Sequence, residues 1–291
     1  MTVTRWFSEG TLKDSPRAAL VIAHPGHELR IHGWLAAARP LVFILTDGSG
    51  HTGRSRLAAT SAILASCGAR PGSIYGRMTD AELYRVLLDG RTEVFTGLAE
   101  ELAGALHQES VALVAGDAAE GFNPGHDVTR LLLNAAVAQL RAAGGPPIDN
   151  REFPLHGAPA VRAAREGDAG IRLQLDAAAL ARKLAAARSY PGLGPEVESA
   201  LTRFGAGAFA TECLWEVRYG LAIGDLIAHP PAYEAYGEER VAAGIYREVL
   251  RYRSHVAPLA LRLDAWATAA ISGVSGVAGV SGVAGTAGTV R

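Results

Sequence analysis

The chain has 291 residues, of which 49% are hydrophobic and 20% charged, with a formal net charge of −1. That composition supports a sizeable buried core and leaves a solvated surface, but it excludes a sequence-independent grip on nucleic acid, which needs a strongly basic face. Two cysteines, Cys67 and Cys213, make no disulfide framework. No apolar stretch approaches the ~20 residues of a membrane span, and the amino-terminal segment lacks the basic-then-apolar pattern of a signal peptide, so the expectation is a soluble cytoplasmic protein.

Taken in order, Ala18 to Ala23 is a short apolar run that ends abruptly in His-Pro-Gly-His-Glu. A helical pattern follows from about Leu29 to Arg39, and Pro40 stops it. Leu41 to Thr46 reads as a second short strand, with Asp47-Gly48-Ser49-Gly50 as turn chemistry behind it. A helix over Ser55 to Cys67 is closed by Gly68 as a C-cap. Thr79 and Glu82 have capping-box spacing, which predicts a further helix start. Residues 93 to 107 read as helix, Val111 to Asp117 as a buried strand, and Asp127 to Ala142 as helix with leucines at 131, 132, 133 and 140.

Alternation of strand and helix predicts an α/β fold, Rossmann-like, with a mostly parallel sheet flanked by helices. The second half is less regular: Ile171 to Asp176 as strand, Ala177 to Arg188 as helix, and Glu238 to His255 as a terminal helix. Residues 1–268 are read as one domain. The remainder, 269–291, is a near-repeat of glycine, alanine, valine and serine with too little side-chain volume to pack and is read as a disordered tail.

In parallel sheets ligands gather beyond the carboxyl ends of strands. Two histidine-bearing loops fall there, one carrying His24 and His27, the other His126. Neutral imidazoles suit zinc or iron, and three protein ligands with one open position is a common catalytic arrangement. The spacing therefore predicts a mononuclear metal site of His24, His27 and His126, with Zn2+ expected and Fe2+ an alternative.

These residues resemble the motifs of the LmbE-like (PIG-L) zinc de-N-acetylases. The family's A-H-P-D-D-E after its first strand is met by Ala23-His24-Pro25-Gly26-His27-Glu28, and its H-P-D-H before a helix by Asn123-Pro124-Gly125-His126. Thr46-Asp47-Gly48 resembles a T-x-G turn. Lys183 to Tyr190, with Glu212 and Arg218 beyond, loosely resembles a late K-x-x-A helix and E-x-x-x-x-R stretch. The likeness spans roughly residues 15 to 225. It implies a metal-dependent hydrolase of amide bonds acting on a small molecule, an N-acetylated amino sugar or its conjugate; the charge balance and the lack of a long apolar stretch predict no nucleic-acid or membrane partner.

Carried over by position, His24 and His126 fall on zinc ligands, and His27 replaces a ligating aspartate with an imidazole. Asn123 stands in place of a histidine. Gly26 stands where the family has the aspartate that acts as general base, and glycine cannot move a proton. Either another group supplies the base or the chain does not perform the family's hydrolysis and acts as a binding or regulatory protein. A different metal-assisted reaction is the third option. Replacement carboxylates are Asp117, ranked first, Glu120 and Glu28, with Asp127 suited to orienting a ligand imidazole. Asp47, Arg54 and Arg130 are candidates for substrate contact, with Arg56 beside Arg54 at the same helix start.

Overall fold

The computed structural model describes residues 5–7, 17–158, 169–217 and 230–274. Eight strands form one sheet: β1 (Arg5–Phe7), β2 (Ala18–Ile22), β3 (Leu41–Thr46), β4 (Arg70–Met78), β5 (Leu113–Asp117), β6 (Asp149–Phe153), β7 (Ala169–Gln174) and β8 (Thr211–Glu216). Their order across the sheet is β1-β7-β8-β6-β5-β2-β3-β4. Every pairing is parallel except those of β8, which runs antiparallel to both β6 and β7. The expected Rossmann-like α/β fold is what the chain adopts.

The helices are α1 (His32–Ala38), α2 (Leu57–Cys67), α3 (Asp80–Leu88), α4 (Thr92–Gln108), α5 (Pro124–Ala142), α6 (Ala177–Ser189), α7 (Gly194–Phe204), α8 (Ala232–Ala242) and α9 (Ala257–Val274). They cover both faces because the central strands are apolar on both. Ala19 and Val21 of β2 join Phe43 and Leu45 of β3 against leucines of α4, α5 and α9. Their neighbours Leu20, Ile22, Val42 and Ile44 point the other way, onto Trp34 and Leu35 of α1 and Leu64 of α2. This is the two-residue period of a strand buried on both sides. Among the described residues no helix is long and apolar enough to cross a membrane.

The chain leaves β2 toward β3 and β4, then returns to place β5 on the opposite side of β2. The crevice between the carboxyl ends of β2 and β5 is thus the topological switch point, where open α/β sheets bind ligands.

Several boundaries differ from the sequence reading. Helix α5 begins at Pro124, so His126 lies in its first turn rather than ahead of it. The capping box forms as expected, with Thr79 and Glu82 exchanging side-chain and backbone bonds. The expected terminal helix over 238–255 is two pieces, because the chain leaves α8 through Gly244 at φ +70°. Helix α9 then runs to Val274, through the first residues of the segment read as a tail, held by Leu259, Leu263 and Ala267 in the core. Arg218 and residues 275–291 lie outside the described residues.

Candidate metal centre

Strand β2 delivers His24 to the switch point, and the turn that follows brings His27 round to the same place. Gly26 makes this turn possible: it sits at φ +107°, a conformation that L side chains rarely adopt. Glu28, fully buried, locks the turn from inside. Its carboxylate accepts from Gly26 N at 2.7 Å and from the Thr60 hydroxyl at 2.7 Å. Burial pushes the Glu28 carboxyl up from its ordinary value, against those hydrogen bonds.

From the other side, α5 presents His126. Its N-cap is Asn123, whose side chain accepts from Gly125 N, and Pro124 occupies the first turn, where a missing N–H costs nothing. The three imidazoles meet. Ring centroids are 5.3 Å apart for His24 and His27, 5.3 Å for His24 and His126, and 4.6 Å for His27 and His126, all edge to face. Gly125 permits the approach of α5, since a Cβ there would lie 3.0 Å from His24 Nε2.

Carboxylates stand behind two of the rings. His27 Nδ1 lies 2.9 Å from Asp117 Oδ2, the oxygen that also accepts from Ala23 N at 2.7 Å. His24 Nδ1 lies 2.9 Å from Asp80 Oδ1 and 2.7 Å from the Thr46 hydroxyl. Burial opposes the charge on Asp80. The hydrogen bonds of His24, Thr46 and Gly50 outweigh it and hold that carboxyl well below the usual range. An ionised carboxylate only accepts, so Nδ1 is the ring nitrogen of His24 that donates to Asp80.

Nε2 of His24 is buried and, among the described residues, without a hydrogen-bond partner, as is Nδ1 of His126. Burial lowers His27 and His126 from the ordinary imidazole value, His126 far more, so both rings are neutral at pH 7. Orphaned buried nitrogens are rare in proteins and need an explanation. Three imidazoles around one tetrahedral zinc, each nitrogen about 2.1 Å from the ion, hold their ring centroids about 5 Å apart. The cluster has that spacing. Its donor atoms do not yet converge: among the described residues no group of three or more His, Cys, Asp or Glu forms a ready metal cage. The residue types, the ring spacing and the orphaned nitrogens fit an ion; the rotamers do not already surround one.

The remaining candidates divide sharply. Asp117 reaches the cluster and has a second oxygen, Oδ1, that is buried and unbonded among the described residues. Glu120 is turned to the neighbouring loop, its carboxylate accepting from Leu155 N and His156 N. Asp127, suited in sequence to orienting an imidazole, instead accepts from Glu120 N and Gly121 N, and burial pushes its carboxyl up to about 7.

Asp47 builds its own turn, accepting from Ser49 N, while Arg54 lies exposed on the loop beyond. Arg130, expected at the substrate, is 1% exposed. It donates to Asp117 O, Asn150 Oδ1 and Arg151 O, tying α5 to β5 and β6, and is therefore a strut. Arg56 is nearer the site than Arg54: its Nε donates to Gly48 O, and its charge acts on His27, Glu28 and Tyr190.

Three features are not legible in the sequence. Asp80 opens α3 and reads in sequence as an ordinary helix start; its place beside His24 depends on β4, whose run of Pro71, Gly72 and Gly76 does not read as a strand. The space beside Gly26 is also closed: a Cβ there would meet Leu193 Cδ1 at 2.8 Å and Tyr190 Cε1 at 3.4 Å. Lys183 and Glu212, distant in sequence, form a buried pair at 2.8 Å. Glu212 also accepts from Gly33 N and Trp34 N, capping α1 just behind the His27 turn.

No family model and no curated protein matches the chain. Among solved structures it is similar to the conserved protein TT1542 from Thermus thermophilus, at 20% identity over 70% of this chain and 97% of that one, with a TM-score of 0.44. A likeness at that level bears on neither site nor reaction.

Proposed function

We propose that the protein is a metal-dependent amide hydrolase of LmbE-like type, removing an acetyl group from an N-acetylated amino sugar or its conjugate. The observation that carries the reading is the meeting of His24, His27 and His126 at the switch point, with orphaned nitrogens on His24 and His126. These three residues would hold the ion, zinc in the first instance and ferrous iron as the alternative. Bound there, it supplies Lewis acidity toward an acyl oxygen and makes water a stronger acid.

The chain's own groups do the rest. Asp80 and Asp117 engage Nδ1 of His24 and His27, which leaves Nε2 of each ring as the nitrogen that would bind the ion. Of the three carboxylates proposed for the missing base, Glu28 and Glu120 have both oxygens engaged by hydrogen bonds. Asp117 alone of the three keeps an oxygen, Oδ1, without a hydrogen-bond partner among the described residues, which makes it the candidate acceptor for a proton from water.

The test is direct. Purified protein should hold about one zinc per chain and release acetate from N-acetylglucosamine derivatives. His24→Ala, His27→Ala and His126→Ala should each lose the metal. A second reading rests on Gly26, whose missing carboxylate has Leu193 and Tyr190 in its place: a metal-holding binding protein without hydrolysis. Full occupancy with no acetate released from any N-acetylated amino sugar would favour it and end the first.

A further inference from the structure

Phe122, alone among the described phenylalanines, is in the exposed class, at 52%. It occupies the loop between β5 and α5, four positions before His126. Its ring meets the His156 imidazole edge to face, with centroids 3.7 Å apart. Beside this pair lies a pocket of about 300 Å³, walled also by Glu120, Pro230 and Pro231. That is the lower end of the range for small-molecule sites.

The pocket is tied to helix α5 through hydrogen bonds. Asp127, next to His126, fixes the backbone of Glu120 and Gly121. Glu120 in turn receives the backbone N–H groups of Leu155 and His156. One hydrogen-bonded chain thus runs from α5 to the aromatic pair, and the loop that carries Phe122 leads directly into the first turn of α5, where His126 sits. The walls mix the flat Phe122 and His156 rings and two prolines with Glu120, whose carboxylate oxygens have further lone pairs that can take hydroxyl protons. Flat aromatic faces pair with flat rings.

Building on the proposed amide hydrolysis, we propose that this pocket receives a ring of the substrate, stacked by its apolar face on Phe122. That ring is either the pyranose itself, packing its C–H face, or an aromatic aglycone, packing its π face; both present an apolar face to Phe122. A substrate lacking such a ring, with only an acyl or peptide extension, gains nothing from the pocket.

The experiment titrates zinc-loaded wild-type, Phe122→Ala and Phe122→Trp proteins with the methyl and phenyl β-glycosides of N-acetylglucosamine, by calorimetry. Phe122→Ala is expected to weaken binding about five-fold, with metal content unchanged and Phe122→Trp retaining affinity. Weakening of the phenyl glycoside alone identifies the aglycone as the stacked ring; equal weakening of both identifies the pyranose. Unchanged binding in Phe122→Ala overturns the proposal, as does failure of the wild type to bind either glycoside. Acetate release is read separately. Binding that depends on Phe122 without acetate release ends the hydrolase reading and leaves the pocket, whereas release untouched by Phe122→Ala in both kcat and KM does the reverse.

Discussion

Replacing Asp117 by asparagine tests whether the His27 ring is held as a ligand. Asparagine is nearly isosteric, and an amide oxygen at the Oδ2 position can still accept from Ala23 N and from His27 Nδ1. What is lost is the negative charge behind the imidazole, in a site where Asp117 is fully buried. Such carboxylates make a ligating ring a better donor, and their removal typically costs 10- to 100-fold in metal affinity, or about 1.4 to 2.7 kcal/mol. Competition with a chromophoric chelator at pH 7.5 measures the zinc constant directly. Asp117→Ala should be worse in a second respect, because it leaves Ala23 N buried without an acceptor, at about 1 to 3 kcal/mol of folding stability. If Asp117→Asn binds zinc within two-fold of wild type, while His24→Ala and His126→Ala abolish binding, His27 is not a ligand and the three-histidine site is refuted.

Other consequences are equally open to measurement. His27 and His126 are lowered below the ordinary imidazole value of 6.5 by burial, and the neutral ring is the ligand. Zinc affinity should therefore change little between pH 8 and 7 and weaken only as acid protonates the rings at lower pH; a steep fall already above pH 7 would contradict this. Gly26→Asp should not restore a base: with φ at +107° and Leu193 at 2.8 Å, it should cost about 1 to 3 kcal/mol in urea unfolding. Adding Leu193→Ala should recover the steric part, and a stable, more active Gly26→Asp protein would refute the argument. Lys183→Met strips the buried Glu212 carboxylate of its ammonium partner and should cost about 3 to 5 kcal/mol. The double variant with Glu212→Gln should be more stable than Lys183→Met alone.

The parts legible in sequence are those written in local chemistry. Strands β2, β3 and β5 are uninterrupted apolar runs, and the two histidine loops stand at their ends, so the switch point could be found without coordinates. Gly68 and the Thr79–Glu82 capping box mark helix limits by mechanisms that act within a few residues. Strand β4 was illegible because Pro71, Gly72 and Gly76 interrupt its run and it lies at the sheet edge, where such residues are tolerated. Missing β4 hid Asp80, which looks like a helix residue until β4 sets it beside β3 and His24. The reversal at β8 and the pairing of Lys183 with Glu212 depend on tertiary packing alone. Arg130 misled for the opposite reason: its position one turn after His126 suggests substrate, but its side chain turns inward toward β5 and β6.

The partners that meet at the switch point come from far apart in the chain: Ala23 N and the Asp117 carboxylate are 94 positions apart. Nothing local can assemble such a centre. It exists only after β2, β3, β4 and β5 have aligned in parallel, a topology whose long loops must close before any contact rewards them. An ion bound there would hold these long-range contacts together and stabilise the native state in proportion to the logarithm of its concentration. The metal would thereby act as a staple across the sheet's central seam, and its removal would loosen first the contacts between α5 and the end of β2.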